Sequence, residues 1–397
     1  MKRAEMYGGI PYLPEEILTN ILKRLPVKSL VRFRCVSRLW KNHINAPSFI
    51  IDHLSYSNHQ TPSLITDFEG TSNLHSLDLD MELRGVLDGH PTGSIRPDRI
   101  VGCCHGLLCV QTSQLQAVPL TLSMWNPAIR GVMPVPRSRT QSRVIDYKVG
   151  FGFSPSLDDY KIVIIYTGSD HVSLVVSGVE VYSLATNSWK DIEFDILDRR
   201  CLIKESLNFN GSIFWLATNL LEFEEDEGWT INTPLALVSF DIASEEFKLM
   251  PTPPLFEGVA KLAVYEKRLA LLHSTFDPNS SNSVIDLWVI EEGIGVSWSK
   301  KFTFGPYPYY LQPLTICRNQ IVGAVSYFEK VQCMEEEEEE EEGVIKVKKA
   351  KTDDIYLINL TSNEFKVIAG SRYGYTGRCF EYVESLLSPS YIQLGNA

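Results

Sequence analysis

One pattern recurs five times in this 397-residue chain, and few folds can accommodate it. Its second half reads SMWNPAIRGVMPVP (123–136), EVYSLATNSWKDIE (180–193), VSFDIASEEFKLMP (238–251), DLWVIEEGIGVSWSKKF (286–302) and DIYLINLTSNEFKVI (354–368). Each copy is an apolar strand, a small polar turn and a closing large side chain: Val132, Trp189, Phe247, Trp298 and Phe365, spaced 57, 58, 51 and 67 residues apart. An apolar strand precedes each copy: GLLCVQ (106–111), KIVIIY (161–166), GSIFWLA (211–217), RLALLH (268–273) and QIVGAVS (320–326). A fainter copy, SLITDF and LHSLDLD within 63–80, comes first.

Four short strands per unit, rich in Val, Ile, Tyr and Phe, cannot bury both faces of their own sheet. Units that bury those faces only against neighbours make a β-propeller. About six blades fit between residues 60 and 390, and GRCFEYVESLLSP (377–389) is placed to supply a strand that closes the ring. No Trp-Asp dipeptide occurs and the only Gly-Gly is in the N-terminal tail, so the repeat is neither of the WD nor of the true kelch type.

The chain opens differently. LPEEILTNILKRLPVKSLVRFRCVSRLWKNHI (13–44) has helical spacing, with Ile17, Leu18, Ile21, Leu22 and Leu25 on one broad apolar face. Glu15 and Glu16 suit the start of that first helix and Lys23 and Arg24 its end, and Pro26 stops it. A second helix is expected from about Val27, and a third capped by Ser37. Three helices in about 40 residues hold only a small core. Yet residues 13–51 contain nineteen side chains from the set Leu, Ile, Val, Phe, Trp, Cys and Ala. The surplus marks a protein-binding face.

With its two Leu-Pro pairs, its VKSL link and its CVSRLW close, this segment resembles an F-box. The resemblance implies that the head, residues 13–53 behind a flexible tail (1–12), binds the Skp-family adaptor of cullin-based ubiquitin ligases. Carried over by position, the adaptor contacts are Leu13, Pro14, Ile17, Leu25, Pro26, Leu30, Val36 and Trp40; Ile17 and Trp40 read equally well as bundle core. The remainder resembles the plant F-box-associated domain, with WNPAIR, VGFGFSPSLDDYKIV, YSLATNSW, NGSIFWLA, SWSKKF and YVESLLSP in family order. Arg130-Gly131-Val132 departs from the usual polar run. The expected fold is α+β and multidomain: a three-helix F-box, then an all-β propeller-like domain (60–390). The implied function is a substrate-recognition subunit of an SCF-type ligase, which reaches cullin through the adaptor and holds an unknown target protein with its propeller loops. The alternative is a propeller lectin or scaffold whose F-box serves only assembly or self-turnover.

Charge fits a protein partner. Of a net −12, the head carries +4, seven Lys/Arg against three carboxylates, so the remainder carries −16. An acidic body argues against general nucleic-acid binding. Cys35, Cys103, Cys104, Cys109, Cys201, Cys317, Cys333 and Cys379 form no CxxC pair and read as reduced core thiols rather than a metal site. No signal peptide or membrane-length apolar run is read, so a cytoplasmic or nuclear protein off the membrane is expected. The eight histidines are scattered, the GFG at 150–152 lacks the third glycine of a phosphate loop, and no G-x-S-x-G elbow occurs. Neither a catalytic residue nor a cofactor is expected. CMEEEEEEEEGVIKVKKAK interrupts the last blade with eight consecutive glutamates (335–342), and residues 333–352 read as a disordered, solvated insert.

Overall fold

The computed structural model describes residues 14–58, 62–68, 74–77, 83–86, 97–112, 120–138, 146–170, 173–197, 200–219, 236–255, 258–277, 279–280, 282–291, 295–326, 328–329, 348–349, 354–368 and 376–392. Leu13, the tail and most of the acidic insert lie outside them.

The head has four helices where three were expected: α1 (Glu15–Leu22), α2 (Val27–Phe33), α3 (Arg38–Ile44) and α4 (Pro47–Asn58). The polar ladder Ser48, Asp52, Ser55, Ser57 hides α4 in the sequence. Phe49, Ile50 and His53 nonetheless share one helix face and are buried. Pro14 and Pro26 are the N-caps of α1 and α2, and the Ser37 hydroxyl accepts from the Trp40 N–H to cap α3. The core is Leu22, Val27, Leu30, Ile44, Phe49 and Ile50, each 8% exposed or less.

Behind the head lie six four-stranded antiparallel sheets. Five come each from one stretch of chain. The second blade is β4 (Pro97–Cys104), β5 (Leu107–Thr112), β6 (Thr121–Asn126) and β7 (Gly131–Pro134). The third is β8 (Asp146–Ser154), β9 (Asp159–Asp170), β10 (Ser173–Ser183) and β11 (Ser188–Asp191). The fourth is β12 (Arg200–Phe209), β13 (Ser212–Asn219), β14 (Ala236–Asp241) and β15 (Glu246–Pro251). The fifth is β16 (Val259–Tyr265), β17 (Arg268–Asp277), β18 (Asn282–Glu291) and β19 (Ser297–Tyr307). In the sixth, β20 (Tyr310–Cys317), β21 (Gln320–Ser326), β24 (Asp354–Asn359) and β25 (Phe365–Ile368) make the sheet, while β22 (Phe328–Glu329) and β23 (Lys348–Lys349) pair at the base of the insert. The first blade joins the two ends of the domain: β1 (Ser63–Phe68), β2 (Leu74–Leu77) and β3 (Leu83–Val86) take β26 (Thr376–Tyr382) as their innermost strand. Ser63 pairs with Tyr382 and Ile65 with Phe380, so the 377–389 segment closes the ring as expected. The innermost strands touch in the order β26, β4, β8, β12, β16, β20 and back to β26.

Six apolar clusters fill the six gaps between adjacent blades. Residues 162–166 show how a single strand serves two of them. Ile162, Ile164 and Tyr166 enter the cluster toward the second blade, while Val163 and Ile165 enter the cluster toward the fourth, and all five are at most 1% exposed. Such a strand has no wet face, so it reads as a continuous apolar run rather than an alternation. The closing residues of the repeat lie on the outer strands in one register: Val132 pairs with Trp125, Trp189 with Tyr182, Phe247 with Phe240, Trp298 with Ile290 and Phe365 with Ile358.

Candidate functional site

Four of the described residues expected to bind a partner are exposed: Pro14, Ile17 (47%), Pro26 and Val36 (63%). Leu25 and Trp40 are half-buried, and Trp40 packs edge-on against Phe33 at 5.3 Å. Leu30 is 0% exposed, so here it is bundle core and not surface, because it lies about one helical turn from buried Val27. Three exposed apolar residues were not anticipated: Ile21 (47%), one turn after Ile17 on the outer side of α1, Leu39 (65%), just after the Ser37 cap, and Ile51 (60%) on α4. The spacing from Ile17 to Ile21 carries that signal. Once Leu18 and Leu22 face inward, Ile21 cannot. Arg24, Lys28, Arg32, Arg38 and Lys41 of the same helices and turns are also exposed.

Polar contacts hold the helices that present this face. Thr19 Oγ1 and His43 Nε2 lie 3.0 Å apart between α1 and α3. His53, 2% exposed, donates through Nε2 to the Leu25 carbonyl at 3.0 Å, tying α4 to the α1–α2 turn. Burial pushes the His53 pKa below its ordinary 6.5, and the Leu25 carbonyl and Glu384 only partly offset this. The fold thus favours the neutral ring.

The head sits at one end of the propeller. Strand alternation sends the tight β4–β5, β12–β13, β16–β17 and β20–β21 turns to that end, along with the β6–β7 turn that touches the head. All four of those tight turns carry positive φ at both central residues: His105-Gly106, Asn210-Gly211, Glu266-Lys267 and Arg318-Asn319. The longest connections leave from the opposite end. The chain departs β13 and returns to β14 there through 220–235, and departs β21 and returns to β24 through 327–353. Both stretches are acidic, with Glu222, Glu224, Glu225, Asp226 and Glu227 in the first and the eight-glutamate run in the second.

Along the ring axis two small cavities, about 50 and 210 Å³, open between the innermost strands. Burial near them disfavours the charged form of several groups. Burial raises the Glu381 carboxyl and the Cys103 thiol and pushes Cys317 up to about 12. A thiol so raised is protonated and a poor nucleophile. Among the described residues, no group of three or more His, Cys, Asp or Glu is arranged to hold a metal ion, and no helix is long and apolar enough to cross a membrane.

The repeat tryptophans have structural duties. Trp125 and Trp215 are at most 1% exposed. Trp189 and Trp298 on the outer strands donate through Nε1 to the Pro136 and Pro251 carbonyls of the preceding blade, at 2.7 and 2.8 Å. Gly150, in the GFG, makes room for Trp215, whose ring would lie 2.4 Å from an added Cβ.

Comparison with known proteins places both parts. Residues 72–368 match the F-box associated beta propeller domain, and residues 10–52 match the F-box domain. The F-box protein CPR1 of Arabidopsis thaliana is 30% identical over 313 residues, spanning 73% of this chain and 72% of its own length. An F-box/kelch-repeat protein of the same plant is 26% identical over 341 residues, spanning 78% and 84%. Among solved structures, TolB from Acinetobacter baumannii aligns with a TM-score of 0.42 and 11% identity, covering 81% of this chain and 66% of its own, and that likeness carries nothing further.

Proposed function

The chain belongs to the F-box-associated β-propeller family, and from that premise we propose that it is the substrate-recognition subunit of an SCF-type ubiquitin ligase. The observation that carries the reading is the set of exposed apolar side chains on a head whose core is filled without them. Ile17, Ile21, Val36 and Leu39 are 47–65% exposed, although six other apolar residues of the head fill the bundle. A patch of this kind on a small module is an interface waiting for its partner. In this reading Pro14, Ile17, Pro26 and Val36, with Ile21 and Leu39 added, contact a Skp-family adaptor. Half-buried Leu25 and Trp40 support them, Leu13 adjoins them in sequence, and the exposed basic side chains of the same helices and turns match an acidic adaptor surface. The target protein docks on the loops at the end of the ring away from the head. The chain's contribution to the reaction is proximity, since it holds a target lysine near charged ubiquitin on the cullin.

The test uses the full chain. Ile17→Asp/Leu39→Asp touches no buried residue, so its circular dichroism matches the wild type. Adaptor capture falls at least about thirtyfold, the size of a hot-spot loss of about 2 kcal/mol. Proteins whose half-lives fall when the wild type is expressed, and do not fall with the variant, are the targets. Full-strength adaptor capture by the folded variant would overturn the reading. A lectin or scaffold would leave every protein's half-life unchanged with either form.

A further inference from the structure

The head is held to the propeller by a segment that follows the ring-closing strand. Asn126, 0% exposed at the end of β6, directs Nδ2 at the Ser385 carbonyl (3.0 Å), the Leu387 carbonyl (2.8 Å) and the Ser385 hydroxyl (3.2 Å). Its Oδ1 accepts from the Ala128 N–H at 3.0 Å, so the β6–β7 turn and the tail are ordered by one side chain. Gly106 adds a second constraint. At φ +75° its missing Cβ leaves room for the tail, since an added one would sit 2.6 Å from the Val383 carbonyl and the Ser385 hydroxyl. Between these two fixed points Leu386 projects into the head. It is 1% exposed and belongs to the cluster of Leu22, Val27, Leu30, Ile44, Phe49 and Ile50, against which Ala128, Ile129 and Leu387 also pack. Elsewhere the Arg318 guanidinium donates to the Pro62 carbonyl, just before β1.

We infer that residues 383–387 are a bolt that makes head and propeller one rigid body, with Leu386 as the positioning residue. The head's core is completed by a side chain from the far end of the chain, so its orientation is set by packing and not by the short connection from α4 to β1. One strand-and-tail segment, 376–387, thus both closes the ring and seats the head. The consequence for ubiquitin transfer, a fixed reach from adaptor to target, rests on the receptor reading above. The rigidity itself does not, and the readouts below need no ligase assay.

Hydrogen exchange and small-angle scattering on the full chain test it, with wild type compared to Leu386→Ala. The wild type should show a radius of gyration of about 21 Å, as expected for one compact body of this length. In the variant, amides of α2 and α4 should exchange about tenfold faster while those of the inner strands keep their protection. The radius of gyration should rise, and adaptor capture should stay within about twofold, because the exposed face on α1 and α3 is untouched. A merely destabilising change would instead lower capture and the melting temperature together. Leu386→Met, which keeps the volume, should behave as wild type. If Leu386→Ala also unfolds the ring, Ala128→Asp carries the test, since it enters the same seam from the blade and leaves β26 intact. A head that stays protected and scattering that stays unchanged in the variant whose ring remains folded would overturn the inference.

Discussion

Leu30 and Val36 show how neighbouring residues of one motif divide between packing and display. Leu30 is wholly buried, so Leu30→Ala should destabilise the head by about 2–5 kcal/mol through lost contacts and a residual cavity. Val36 is 63% exposed, so Val36→Ala should leave thermal unfolding within about 0.5 kcal/mol while weakening adaptor capture. Unfolding curves and pull-downs of the two variants check this together. His53 gives the head a pH dependence with a definite sign. Its folded pKa lies below the unfolded 6.5, so well above 6.5 the ring is neutral in both states and costs nothing. As pH falls through 6.5 the unfolded form takes up the proton first, and head stability is lost progressively until the folded ring also protonates. Melting the full chain from pH 7.5 to 5 should show this loss. His53→Gln, which keeps a donor for the Leu25 carbonyl, should flatten that part of the curve.

The outer-strand tryptophans act at the level of the element. Each blade buries its faces on its neighbours, and Trp189 and Trp298 add a direct tie by hydrogen-bonding the end of the preceding outer strand. Trp298→Phe keeps most of the ring's area and removes the donor. It should cost about 0.5–1.5 kcal/mol, the usual worth of one hydrogen bond, read as a shift in the denaturant midpoint. These two positions were visible in the sequence as repeat markers, but their partners were not. Pro136 and Pro251 precede them by 53 and 47 residues, and nothing local to a tryptophan names the carbonyl it will meet. The α4 helix was missed for a related reason. Its inward residues, Phe49, Ile50 and His53, include a polar one whose burial depends on a carbonyl in another helix.

At the scale of the whole molecule the ring is closed by sequence-distant ends, so it should not tolerate their loss. Deleting residues 378–397 removes most of β26, including Cys379 and Tyr382 from two inter-blade clusters, and takes Leu386 from the head. Several buried side chains worth about 2–5 kcal/mol each exceed much of a domain's typical 5–15 kcal/mol. The truncated chain should therefore lose its cooperative transition in calorimetry and associate through the exposed edge of β1. A truncated chain that stays monomeric and melts at the wild-type temperature would show that β1 needs no partner.

Read alone, the repeat pointed to a propeller of about six four-stranded blades and to a segment placed to close it, because the same buried environment recurs and selects the same residue types at the same register. Helical spacing likewise revealed α1 to α3 and the surplus of apolar side chains over what so small a bundle can bury. Which of those side chains are surplus was decided only by the fold: Leu30 went inward, Ile21 and Leu39 outward. The seam was decided there too. Asn126 and Ser385 are 259 residues apart, and neither Asn-Pro nor Ser-Leu-Leu carries a local signal for the other. Local periodicity reports which face of an element avoids water, but the identity of what covers that face is set by long-range packing of the whole chain.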